Sequence, residues 1–148
     1  KPYLKPRREG VNRLELYIDG FGQYLKDREE NSVALSGFDG AAPLKEAAAV
    51  IKGQIDRGMP VPYLLLKHKD PLLKDFVWHW FLLVGYEDFE DTFMVKTVTY
   101  GEYQWMDFKN LWNTGYPEKG GLIIVEARPW DSARQIAWRE FGAEYYKK

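Results

Sequence analysis

The sequence predicts an α+β fold, with helices packed on a mostly antiparallel, twisted sheet of about five strands. Two stretches with apolar residues at helical spacing come first, and a meander of short β-forming runs with one short inserted helix follows them. Size is the third observation: 148 residues with 45% hydrophobic and 16% aromatic content can bury one substantial core. No low-complexity tract or fixed-period repeat divides the chain, so residues 1–148 are expected to form a single domain.

The first helix is expected from Arg13, because Leu14, Tyr17, Ile18, Phe21 and Leu25 fall at offsets of three, four, seven and eleven and so share one face. Gly20 and Gly22 weaken it, each costing about 1 kcal/mol relative to alanine. Asn31 to Ala42 is rich in Ser, Gly and Asp and reads as a loop. A second helix follows, in which Leu44, Ala47, Ala48, Ile51 and Ile55 repeat the same offsets; Pro43 suits its first turn and Gly58 its end. Met59 to Lys67 reads as a strand entered through Pro60 and Pro62, and His68 to Asp75 as a charged loop. Val77 to Tyr86 is a continuous apolar run, expected as a central strand covered on both faces. An acidic turn, Glu87 to Asp91, leads to a strand at Phe93 to Thr99. Tyr100-Gly101 then turns the chain into a short strand, Glu102 to Met106. Asp107 can cap a short helix over Phe108 to Asn113, and Gly120-Gly121 opens a last strand, Leu122 to Ala127. From Asp131 a C-terminal helical extension is expected, with Ile136, Ala137 and Phe141 on one side.

Composition excludes several function classes. Twenty-one Lys and Arg against 22 Asp and Glu leave a net charge of −1, too little to hold a nucleic-acid backbone by charge alone. The longest nearly apolar stretch, Phe76 to Tyr86, is about half of a membrane span. The chain has no cysteine, hence no disulfide, thiolate ligand or thiol nucleophile of its own. His68, Asp70, Asp75 and His79 lack the regular spacing of a metal motif. Glu87, Asp88, Glu90 and Asp91 lack the glycine and terminal glutamate of a calcium loop, and Gly20 to Gly22 lacks the strand-loop-helix setting of a phosphate cradle. No metal and no cofactor is expected.

Of the two histidines, His68 sits in a charged loop, as a solvated side chain would. His79 lies inside the apolar run between Trp78 and Trp80, where a charged imidazole is costly unless partnered. The run His79-Trp-Phe-Leu-Leu-Val-Gly85-Tyr86 resembles the histidine strand of papain-like cysteine peptidases, in particular the bacterial C39-like branch. Gly58-Met-Pro60-Val61 is similar to that family's lead-in to the preceding strand. Trp105-Met-Asp-Phe-Lys-Asn-Leu-Trp112 is similar to its segment of polar strand, short helix and Trp, and Gly120-Gly-Leu-Ile-Ile-Val125 to its closing strand. The pieces occur in the family's order over about residues 44–126.

The resemblance implies a papain-like scaffold acting on or binding peptide or amide substrates, with His79 as the catalytic imidazole. It puts Thr97, or Thr99 in another register, where the family has the Asn or Asp that orients the ring, and Trp78, Trp80 and Trp105 as walls of the cleft. Threonine can hydrogen-bond an imidazole but cannot offset its charge. With no cysteine, two readings follow. Either the domain is an inactive peptide- or small-ligand-binding homologue, or, since the chain opens on Lys1 rather than Met, a missing N-terminal segment or second chain supplies the thiol. A competing class is a cone-shaped ligand-binding module, with two helices on one curved sheet and the aromatics lining an apolar pocket.

Overall fold

The computed structural model describes residues 3–4, 10–30 and 32–127; the expected helix from Asp131 lies outside them. The elements run α1 (Leu14–Asp27), β1 (Val33–Asp39), α2 (Leu44–Asp56), β2 (Val61–Leu65), a 3-10 turn (Pro71–Leu73), β3 (His79–Phe89), β4 (Thr92–Thr99), β5 (Glu102–Asp107), α3 (Phe108–Trp112) and β6 (Gly121–Ala127). The six strands form one sheet in the order β1-β6-β2-β3-β4-β5, with every neighbouring pair antiparallel. The fold is thus α+β, with six strands rather than about five. No helix among the described residues is long and apolar enough to cross a membrane.

The additional strand is β1, which the sequence presents as a loop. It pairs with β6 along its whole length, from Val33 opposite Ala127 to Asp39 opposite Gly121. Its Ser, Gly and Asp residues are tolerable because β1 is an edge strand, and the partner that orders it lies at the far end of the chain. The acidic turn is also shorter than expected. Strand β3 continues through Glu87 and Asp88 to Phe89, and Glu90 makes the reversal at φ 54°.

Consecutive residues of a strand point to opposite faces, which settles where the helices lie. A side chain at Gly37 would press on Leu14 and Ile18 of α1, whereas the next residue, Phe38, packs toward Trp112 of α3. Likewise Trp80 stacks on Tyr17 of α1, and Phe81 stacks on Tyr63 in the main core. Helices α1 and α2 therefore cover opposite faces of the sheet.

On the inner face Ala47 and Ile51 of α2 and Phe108, Leu111 and Trp112 of α3 pack against Val61, Tyr63, Phe81, Leu83, Val95 and Leu122. Asp107 caps α3 by accepting from the Lys109 N–H, and the Trp112 indole donates to the Ala42 carbonyl ahead of α2. On the outer face α1 lies over the β1, β6 side, and among the described residues no helix covers the far strands. Leu82 and Val84 keep 38% and 39% of their surface, so β3 is not covered on both faces as its apolar run suggests. Gly120 and Gly121 are required where β6 begins, because a Cβ there would collide with the carbonyls of Leu64 and Phe38.

Candidate functional site

The segment joining β2 to β3 shapes one end of the sheet. The Trp78 N–H donates to the Leu66 carbonyl at 2.9 Å, closing the segment, and Phe76 meets Phe81 edge-on at 5.3 Å. Trp78 holds φ 53°, a left-handed conformation uncommon for a bulky residue, and His79 follows as the first residue of β3, opposite Leu65.

His79 shares the inner face with Phe81 and Leu83. Its Nε2 lies 2.6 Å from Thr99 Oγ1, and its ring is stacked on Tyr100 with centroids 4.7 Å apart and planes 2° from parallel. Tyr100 reaches that place from the hairpin turn Tyr100-Gly101, where both residues take positive φ (54° and 75°), and its hydroxyl donates to the Asp75 carbonyl at 2.8 Å. One nitrogen and one face of the imidazole are thereby committed, while Nδ1 makes no hydrogen bond among the described residues. Desolvation alone holds the ring's pKa below its ordinary value, with no charged neighbour contributing. The site thus offers a neutral imidazole held by a hydroxyl and an aromatic face, without the counter-charge that stabilises an imidazolium.

Register decides between the two threonines. Leu83 opposes Thr97 and Leu82 opposes Val98, and the pairing shifts between Leu83 and Gly85, so Thr99 is the one brought to His79. Thr97 is buried and gives its hydroxyl to the Gln104 carbonyl at 3.1 Å. The two meet again as walls of a small pocket of about 140 Å³ on the inner face, shared with Asp75, Phe76, Tyr100 and Glu102.

The three tryptophans do not converge on His79. The Trp80 ring points to the outer face, stacked on Tyr17 at 4.7 Å, with its N–H donated to the Val11 carbonyl at 2.6 Å. Trp105 lies on the outer face of β5, opposite Lys96 and beside Gly85. Trp78 alone lines a large concavity, a cleft of about 670 Å³ beside the start of α1. Its other walls include Asn12, Arg13, Leu66, Lys119 and Gly120, drawn from distant parts of the chain. No motif in the sequence marks them as one site; adjacency in the fold is the only signal.

His68 is occupied differently. Its Nδ1 accepts from the Asp70 N–H at 2.9 Å, which leaves the ring proton on Nε2 to be donated to the Asn110 carbonyl at 2.8 Å. Asn110 in turn donates to Asp70 at 2.9 Å. The Leu72 N–H foremost, and then the Asn110 amide, hold the Asp70 carboxyl below the usual carboxylate range. His68 is a latch between the β2–β3 segment and α3. Among the described residues no group of three or more His, Cys, Asp or Glu is placed to hold a metal ion.

Comparison with protein-family models, with curated proteins and with solved structures finds no match to this chain.

Proposed function

We propose that this chain is a papain-type, C39-like scaffold that binds peptides or related amides at the Trp78–His79 end of its sheet without hydrolysing them. The observation that carries the reading is the clamp on His79: a ring at the head of one strand, hydrogen-bonded through Nε2 by Thr99 near the end of the next. That is the relation between imidazole and orienting residue which the sequence resemblance implies, with threonine in place of a carboxylate or amide. Two facts favour binding over turnover. The sequence has no cysteine to serve as nucleophile. Desolvation lowers the pKa of the imidazole and so disfavours the protonated form that a proton transfer would need.

The test uses the blocked peptide acetyl-Ala-Phe-Ala-amide and a fluorogenic peptide mixture. The expected result is a saturable shift of the His79 ring resonances in NMR, with no cleavage above the buffer rate. Cleavage that disappears in His79→Gln would make the domain a hydrolase and overturn the non-hydrolytic reading. Absence of any shift at His79 would remove its binding role.

A further inference from the structure

The cleft beside α1 opens on the outer face, across the sheet from His79. Its volume, about 670 Å³, falls within the range of roughly 300–1,000 Å³ that ligand pockets occupy. Trp78 stands in its wall with 40% of its surface exposed. Trp80 and Trp112 are spent on the protein itself: Trp80 is stacked on Tyr17 and donates its N–H to Val11, and Trp112 donates to Ala42. Trp78 has neither a stacked ring nor an acceptor for its indole N–H among the described residues, and its backbone is held in the left-handed region.

The polar groups around that indole are mixed in sign and mostly uncommitted. Arg13 at the head of α1 and Lys119 just before β6 form no ion pair with any described residue, and neither does Glu15 in the first turn of α1. Asp39 accepts the Ala41 N–H at 2.8 Å with one oxygen. Glu118 meets Lys67 at 3.6 Å, with both side chains about half exposed. Three carboxylates thus share the cleft with two cations and do not pair with them. Asn12 adds a donor and an acceptor on one carboxamide.

Such a lining selects by exclusion. An anion meets Asp39, Glu15 and Glu118, and a cation meets Arg13 and Lys119, so net charge of either sign gains little. A wholly apolar guest would strip water from these charged groups and return no hydrogen bond. The remaining class is uncharged, carries donors and acceptors around its rim, and has an apolar face for the indole. A hexopyranose with equatorial hydroxyls has that form. Each hydroxyl both donates and accepts, so one rim can serve carboxylates and cations together. The axial C–H bonds, polarised by neighbouring oxygens, lie over the ring faces and suit the negative π face of tryptophan.

We infer that this cleft binds a neutral saccharide, with one pyranose ring lying on Trp78 and its hydroxyls shared among Glu15, Asp39, Arg13 and Lys119. The site is separate from the one at His79 and does not depend on that reading.

The test titrates cellobiose, both of whose rings carry equatorial hydroxyls, and follows the Trp78 indole N–H and the Gly37 and Gly120 amides by NMR. A saturable shift is expected at all of them. Trp78→Gly, which suits a positive φ, should weaken binding at least tenfold, read from the two amides. Arg13→Gln and Glu15→Gln lie on exposed positions at the head of α1, where the fold tolerates them, and should each weaken it several-fold. Methyl β-glucoside should bind several-fold more tightly than methyl β-glucuronide or methyl β-glucosaminide. No saturable shift with cellobiose overturns the inference, as does unchanged affinity in Arg13→Gln and Glu15→Gln, or tighter binding of either charged glycoside than of the neutral one. Displacement of cellobiose by acetyl-Ala-Phe-Ala-amide would make the cleft a peptide site and overturns it too. Cellobiose should leave the His79 ring unshifted, so the two readings fail separately. A peptide response at His79 with no saccharide response at Trp78 removes this inference alone, and the reverse removes the His79 reading alone.

Discussion

The two histidines of this chain bracket one connecting segment, and they are used in opposite ways. His68, at the segment's start, spends both ring nitrogens on backbone groups, the Asp70 N–H and the Asn110 carbonyl. His79, at its end, spends one nitrogen on a hydroxyl and one face on Tyr100. A fully satisfied ring adds stability and has nothing left to offer a ligand. A half-satisfied ring in a desolvated setting keeps one polar atom in reserve, and that separates a structural histidine from one able to recognise something.

The largest expected effect falls on the structural side. His68→Ala removes two hydrogen bonds that tie the β2–β3 segment to α3, and should cost about 1–2 kcal/mol. At about 3 °C per kcal/mol for a domain of this size, the melting temperature should fall by several degrees. The response of the His79 ring to acetyl-Ala-Phe-Ala-amide should be unchanged. Denaturant melts give the stability and NMR titration gives the binding. If His68→Ala loses peptide response but not stability, the two histidines have been assigned the wrong way round.

Thr99→Val is the next largest. Leaving His79 Nε2 without its partner should cost about 1 kcal/mol and release the fixed tautomer, seen as a change in the ring nitrogen shifts. Thr99→Ser keeps a hydroxyl in place and should restore the wild-type shifts. Thr97→Val serves as the contrast, because the Thr97 hydroxyl is spent on the Gln104 carbonyl; the His79 ring should not register its loss. A response to Thr97→Val and not to Thr99→Val would return the orienting role to Thr97.

How far such roles were legible in the sequence depended on how local their causes are. Helix α2 could be read because its apolar spacing lies within its own residues, and α3 because Asp107 caps it. His79 could be singled out because an ionisable residue interrupts an apolar run. Strand β1 could not, since only β6, at the other end of the chain, makes Ser36, Gly37 and Asp39 into a strand. The choice of Thr99 over Thr97 turns on the register shift beside Val84, which composition does not encode. Trp80 looked available because its partner, Tyr17, is supplied from α1. Asn12, Arg13 and Lys119 carry no motif and become neighbours only when the start of α1 settles over the start of β6.

The smallest effect is a dependence on pH, and it divides the two histidine regions by window. Desolvation lowers the His79 pKa in the folded chain below its ordinary 6.5, so the unfolded chain binds the proton more readily. The contribution of neutral His79 to stability is therefore complete above pH 6.5 and is lost as pH falls toward the lower, folded value. His79→Gln, which cannot protonate, should flatten the stability profile in that window. In the His68 region Asp70 is held below its ordinary 3.8 by the Leu72 N–H and the Asn110 amide. Its contribution is present above pH 3.8 and is lost only as pH falls below that. Asp70→Asn should therefore alter the profile at the acidic end and leave the region around pH 6 untouched. Stability measured from pH 8 to pH 3 on the wild type and both variants checks the signs together. A wild-type profile that rises on acidification through pH 6 would mean the folded state favours the imidazolium, and His79 would then have to face a carboxylate instead of a hydroxyl.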